Sequence, residues 1–411
     1  MRALAGLALL AVVSACSAVA PPVATPTPTP QHGVLAVTAL LDLSGPRAAI
    51  GTAQRDALQL WLDQQQGKTR FPVKLHVVDA GGSEAKLLLD LHAAAVDAAS
   101  DAVIVGAPVI YDATFGAAVE AAALPVLFTL PLPDDPVAGD PGGRWAFALA
   151  PALAHLASDE VNDAVLRRTL SPSLVLSGPR EQVDLAADAL EAELQARELD
   201  RLTRIPLPTD GSVPPVVRSS LSVLRSVHCT APASSCAAVA RAAQSMGAPT
   251  FFYLSYLTTP RDLQDHKELA ARAVWPSSAR ILPFNGRPLT PENQARDAFM
   301  RAFGDRFGTP SAHAATAYDA LSLLTAAADA AGPDDRGALR SALERITMPL
   351  IATTYTFGPD RHAGDDLHDV TYVRWTGSAV APALAATLGT GIATPTPSPT
   401  ASPTATGSAR P

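Results

Sequence analysis

The chain is short of cysteine, of aromatic residues and of charge, and each shortage narrows what it can be. Three cysteines among 411 residues exclude a disulfide-dense scaffold. Charged residues make up 17% of the chain, the formal net charge is −8, and the basic side chains are scattered, which argues against nucleic acid as a partner. No internal run reaches the ~18 uncharged apolar residues that a membrane-spanning helix needs. Enzyme signatures are missing as well: there is no Gly-x-Ser-x-Gly elbow, no His-Glu-x-x-His, no Cys-x-x-Cys and no dinucleotide glycine fingerprint. Gly67-Lys68-Thr69 imitates the end of a phosphate-binding loop, but Leu62 stands where its opening glycine belongs. His362, Asp365, Asp366 and His368 cluster on an apparent hairpin turn, which reads as a solvated turn rather than a metal site. Neither a metal nor a cofactor is implied.

What is present is apolar bulk, 48% of residues, much of it alanine, which suits closely packed helices. A chain of 411 residues is long enough for two lobes with extended ends. Arg2 and the apolar run Ala3 to Val13 read as the start of an export signal. The ending Val13-Ser14-Ala15-Cys16 resembles the lipobox of bacterial lipoproteins. That resemblance implies a signal peptide over residues 1–15, a lipidated Cys16, and an extracytoplasmic protein held to the membrane by acyl chains. An ordinary secretory signal with an incidental cysteine is the alternative. With Cys16 set aside, Cys229 and Cys236 remain, and an oxidising compartment favours a short disulfide loop over free thiols or a metal pair. Residues 16–32, rich in Pro-Thr repeats, form a tether, and residues 377–411 a Pro/Thr/Ser-rich disordered tail.

Between the ends, short β-rich runs alternate with helical patterns. Strands are expected at Val34 to Leu41, Val73 to Asp79, Ala102 to Val105 and Pro125 to Thr129, with helices at Ala53 to Gln65, Glu84 to Ala99 and Ala113 to Ala123. The alternation restarts after Pro151: helix Ala154 to Arg168, strand Leu174 to Leu176, helix Gln182 to Leu199, a strand near Arg204 to Pro206, a helix reaching Val227, helix Ala237 to Met246 and strand Thr250 to Leu254. The fold class is α/β, with two doubly wound, Rossmann-like lobes. Ligands of such sheets collect at the carboxyl ends of the strands, in loops such as 42–51, 106–112 and 129–135.

Several segments, in this order and spacing, resemble the type I periplasmic substrate-binding proteins that serve branched-chain amino-acid ABC importers. They are Leu43-Ser44-Gly45-Pro46-Arg47-Ala48-Ala49-Ile50-Gly51, Asp101 to Gly106 followed by Leu124-Pro125-Val126-Leu127, and Pro310-Ser311-Ala312-His313-Ala314-Ala315-Thr316-Ala317-Tyr318-Asp319-Ala320. Tyr355-Thr356-Phe357-Gly358-Pro359-Asp360-Arg361 is similar to the closing segment. The resemblance covers about residues 33 to 375 and implies a Venus flytrap with three interlobe crossovers, near residues 152, 282 and 355. The implied lobes are 33–152 with 282–354 and 153–281 with 355–376. A monomer that captures a small molecule and delivers it to an ABC permease is implied, with a lipid-anchored sensor on the same fold as the alternative.

The family's amino-acid clamp carries over poorly. Hydroxyl residues that hold a carboxylate in the family correspond to Ile110 and Pro133, and the acid that holds the amine corresponds to Tyr256. A buried charge without partners is costly, so a zwitterion is disfavoured and a less charged or partly aromatic solute is expected. Candidate ligand contacts are Ser44, Ile50, Ile110, Tyr111, Asp112, Leu132, Pro133, Glu181, Tyr256 and His313. Several have structural readings beside the functional one: Ser44 as a turn former, Ile50 as local packing, Asp112 as the cap of the next helix, and His313 as a packed histidine on an alanine-rich face.

Overall fold

The run Leu-Ala-Val-Thr-Ala-Leu-Leu forms β1 (Leu35–Leu41), buried at all positions but one, as a central parallel strand covered on both faces must be. The structure is a computed structural model, and it describes residues 33–383 apart from 66, 97–99, 138–142, 179–183, 209 and 284–287. The export signal, Cys16, the tether and nearly all of the tail lie outside the described residues, as does Glu181.

From β1 the chain continues through α1 (Ala48–Gln65), β2 (Val73–Asp79), α2 (Glu84–Val96), β3 (Ala102–Gly106), α3 (Ala113–Ala122), β4 (Val126–Phe128) and β5 (Ala146–Ala148). These strands make one parallel sheet in the order β2-β1-β3-β4-β5. Ile50, Gln54, Ala57, Leu58 and Trp61 of α1 are buried at helical spacing against it. Gly51 lets α1 start hard against the end of β1, because a Cβ there would lie 2.0 Å from the Asp42 carbonyl oxygen. That close approach fixes the β1–α1 loop, which carries Asp42 to Arg47.

The chain then builds α4 (Leu153–Leu166), β6 (Ser173–Ser177), α5 (Leu185–Ala196), β7 (Thr203–Pro206), α6 (Pro215–Ser220), β8 (Ser226–Cys229), α7 (Ala233–Ser245), β9 (Phe251–Leu254), α8 (Pro260–Asp265), α9 (Lys267–Ala270) and β10 (Ala273–Ser278). Next come α10 (Pro291–Phe307), α11 (Ala312–Ala331), α12 (Arg336–Leu343) and the hairpin β11 (Thr347–Pro349) and β12 (Thr354–Thr356), which pack on the first sheet. Finally β13 (Val370–Trp375) and β14 (Val380–Pro382) join the second sheet antiparallel, giving the order β14-β13-β10-β9-β8-β6-β7.

Two expectations need correction. The helix reaching Val227 stops at Ser220, and Ser226–Cys229 is instead the strand β8. Both of its faces are buried, but one is polar: His228 stacks on Tyr253 at 4.8 Å and its Nδ1 lies 2.6 Å from Glu160 Oε1, so no apolar run announces the strand. The third crossover does not fall near 355, because Tyr355 and Phe357 belong to the core of the first lobe and Ala363 still bridges Ala148. The chain pairs with the second sheet only from Val370.

Helix α11 is the spine of the first lobe. Its alanines let α1 approach closely, and Trp61 Nε1 donates to Ser322 Oγ at 2.9 Å across that contact. Near the crossovers sits Asp319 of α11, fully buried, which accepts from Ile351 N (3.0 Å), Ala352 N (2.7 Å) and the Tyr355 hydroxyl (3.3 Å). Beside it Ser278 Oγ donates to Ala352 O at 2.5 Å and Arg280 Nη1 to Thr354 Oγ1 at 2.8 Å, tying the end of β10 and the turn after it to the start of β12 and the turn before it. These bonds link the two lobes through buried polar groups of the hinge region.

Candidate functional site

A cavity of about 370 Å³ lies between the lobes, within the size range of small-molecule sites. The first lobe lines it with the loops after β1, β2, β3 and β4, and the second with the faces of α4 and α5 and the loops after β8 and β9. In both sheets these loops stand at the carboxyl ends of parallel strands, where open α/β sheets bind ligands. Leu87, Val109, Leu130, Leu156 and Leu190 supply much of the apolar wall.

The loops are held by their own hydrogen bonds. Asp79, at the end of β2, accepts from Leu43 N and Gly81 N, each at 2.9 Å, and joins the β1–α1 loop to the β2–α2 loop. Its carboxyl is held below the usual range, first by the Ser44 hydroxyl. Asp42 accepts from Gly82 N at 3.1 Å, and burial pushes its carboxyl up against the opposing pull of that bond and of Arg47. In the second lobe Asp184 caps α5 through Ala187 N (3.1 Å) and also accepts from Gly178 N (3.0 Å) and Thr230 Oγ1 (2.6 Å). Glu160 is engaged by His228. The disulfide Cys229–Cys236, with Cα atoms 6.1 Å apart, closes the loop that presents Thr230 and Pro232 to the cavity.

Of the expected contacts, the structure brings Ser44, Ile110 and Tyr256 to the cavity. The other described candidates lie elsewhere. Ile50 is buried on α1 and borders a small adjoining hollow between the lobes rather than the main cleft. Tyr111 packs into an aromatic cluster, 5.9 Å from Phe115 and 5.6 Å from Phe128. Asp112 is the N-cap of α3, accepting from Thr114 N and Phe115 N at 2.9 Å. Past β4 the chain dives inward, so Leu130 and Pro131 face the cavity while Leu132 is buried in the lobe core, with Pro133 beyond it. His313 lies behind Tyr256, its ring 5.1 Å away and edge-on, and burial pushes its imidazole down to about 4. It is a packed histidine at neutral pH. The cluster around His362 is no solvated turn either: His362 and Asp365 are buried, and the His362 ring stacks on Phe147 at 4.2 Å with Nδ1 2.8 Å from Ala146 O. Among the described residues no group of His, Cys, Asp and Glu is arranged to hold a metal.

Sequence reasoning missed the charged members. Arg47, Glu84, Glu160 and Asp184 all line the cleft. Arg47 stood inside the quoted loop, but its surroundings depend on Asp184, which comes from the other lobe. Burial pushes its guanidinium down, opposed by the pull of Asp184 and Asp42. Burial, and after it Asp112, pushes the Glu84 carboxyl up.

Two doubly wound lobes, a hinge of several crossing segments and a cavity lined from both sides define a flytrap-type ligand-binding protein. The chain belongs to the periplasmic binding protein family, whose model matches residues 35–379. Members of that family are extracytoplasmic substrate-binding proteins. Solved structures share the fold. An extracellular ligand-binding receptor from Rhodopseudomonas palustris HaA2 superposes with a TM-score of 0.72 at 17% identity, covering 85% of this chain and 99% of its own. The branched-chain amino-acid transporter substrate-binding protein LivJ from Streptococcus pneumoniae, in complex with isoleucine, gives 0.68 at 14% identity, over 84% and 97% of the two chains. A leucine-binding protein from Thermotoga maritima gives 0.67 at 14%, over 85% and 98%. No curated protein sequence matches the chain significantly. No helix among the described residues is long and apolar enough to cross a membrane.

Proposed function

We propose that the chain is a lipid-anchored extracytoplasmic receptor that captures a small molecule between its lobes and hands it to the permease of an ABC importer. The observation that carries this reading is the cavity lined by strand-end loops of both lobes. A ligand that touches both faces has higher affinity for the closed form than for the open one, and that difference is the free energy available to drive closure. The anchor rests on Val13-Ser14-Ala15-Cys16, and the importer on family membership together with the transporter role in the printed description of the LivJ structure.

The ligand is not an ordinary branched-chain amino acid. Ile110 and Tyr256 line the cleft where the family would offer a hydroxyl and an acid, and neither replaces that chemistry. Native mass spectrometry of protein purified from its producing cells should reveal a co-purifying small molecule other than leucine, isoleucine or valine. Micromolar binding of any of those three to stripped protein would contradict the ligand reading. For the anchor, wild type should enter the detergent phase of a detergent partition and Cys16→Ala should stay in the aqueous phase.

A further inference from the structure

We infer that the ligand of this cleft carries a single negative charge, a carboxylate or similar group, which pairs with Arg47, and an otherwise apolar body. The inference rests on the receptor reading above and specifies its substrate class. Among the described lining residues Arg47 is the sole cation. Its guanidinium makes no hydrogen bond or ion pair with the described residues, although burial has stripped much of its water and pushes its ionisation down. A desolvated guanidinium without a partner is unfavourable, and its planar fork of donors matches a carboxylate.

The carboxylates around it do not fill that role. Asp184 is taken up by Ala187 N, Gly178 N and the Thr230 hydroxyl, Glu160 by His228, and Asp42 by Gly82 N. Asp42 of the first lobe and Asp184 of the second still attract Arg47, which lines the cavity with both of them. The same acids set the ligand's charge. Asp42, Glu84, Glu160 and Asp184 line the cavity against one guanidinium, so a dianion would meet net repulsion beyond its first contact. An ammonium on the ligand is not required by these acids, since three of them already have donors. Beside the hydroxyl residues Ser44, Ser83, Thr230 and Ser255, the remaining wall is formed largely by Leu87, Val109, Ile110, Leu130 and Leu156, which calls for a mostly hydrocarbon body. Arg47 also borders the adjoining hollow formed with Pro232, Ser255 and Leu257 of the second lobe, so an anion seated on it would contact both lobes.

The test uses ligand-stripped protein and a matched panel: aliphatic and aryl monocarboxylates of graded length, their amides, the corresponding amines and the dicarboxylates, screened by thermal shift and then calorimetry. The expected result is binding confined to monocarboxylates, weakened about thirtyfold or more by Arg47→Gln and less by Arg47→Lys, which keeps the charge but loses the fork. Both variants must melt as wild type does. Tighter binding of amides, amines or dicarboxylates, monocarboxylate binding indifferent to Arg47→Gln, or silence across the monocarboxylates would each overturn the inference. An amide or amine ligand would leave the receptor reading standing. Absence of any panel ligand together with absence of any co-purifying molecule would remove both.

Discussion

Asp319 at the hinge and Arg47 in the cleft are both ionisable side chains taken largely out of water, and the protein treats them in opposite ways. Asp319 receives two backbone N–H groups and a tyrosine hydroxyl, all from the segment that follows α12. The Arg47 guanidinium donates no hydrogen bond to the described residues. A polar group satisfied internally holds a shape, whereas one left with only distant opposite charges is available to something that binds. The hinge therefore reads as fixed structure and the cleft as the place where interaction free energy is still to be gained.

The comparison breaks first at the hinge. Asp319→Ala strands three buried donors, and at ~1–3 kcal/mol for each orphaned group the fold should lose about 3 kcal/mol or more, measured by urea unfolding. An unchanged midpoint would mean that the hinge network is not structural. Next is the second lobe's cleft loop. Opening the Cys229–Cys236 bond by reduction should lower stability by ~2–3 kcal/mol in the chain-entropy model and weaken ligand binding, because the loop it closes carries Thr230 and Pro232. Calorimetric titration with and without reductant reads both consequences.

Gly51→Ala places a methyl group against the Asp42 carbonyl and should displace the β1–α1 loop at a cost of about 1–3 kcal/mol, with a matching loss of ligand affinity. A variant that binds and melts like wild type would show that this loop tolerates the shift.

A pH series sharpens the contrast. Burial pushes the Asp319 carboxyl from 3.8 up to about 7. A raised carboxyl favours the protonated folded state, so its contribution is fully present below about 4 and is lost as pH rises through about 7. Subtracting the Asp319→Asn curve from the wild-type curve between those limits should isolate a falling slope, and a flat difference would argue against it. The smallest effect is expected at Arg47: Arg47→Gln should leave stability within ~0.5 kcal/mol of wild type, since no folded-state hydrogen bond is removed.

Much of this was legible in the sequence. Period-two and period-3.6 patterns located β1, β2, β3 and most helices because their buried faces are apolar. Strand β8 is not marked by an apolar run because one of its two buried faces carries Ser226 and His228, whose partners Thr169 and Glu160 lie far away in the chain. The resemblance implies a third crossover near 355, but Tyr355 and Phe357 pack in the first lobe and nothing local in Tyr355-Thr356-Phe357 says which lobe it joins. In the cleft, counting along the loops found Ser44, Ile110 and Tyr256 but overshot after β4 by two residues, since nothing local marks where the chain turns inward at Leu132. Arg47 was in view as a letter, but its meaning came from Asp184, more than a hundred residues away, and only the assembled lobes bring the two together.

The most direct test of the account is hydrogen exchange on stripped protein with and without the small molecule recovered by native mass spectrometry. A ligand that bridges the lobes should raise protection together in the segment Leu43–Ile50 of the first lobe and Thr230–Leu257 of the second. Protection confined to one lobe, or to neither, would contradict the claim that this cleft is where the protein binds its ligand.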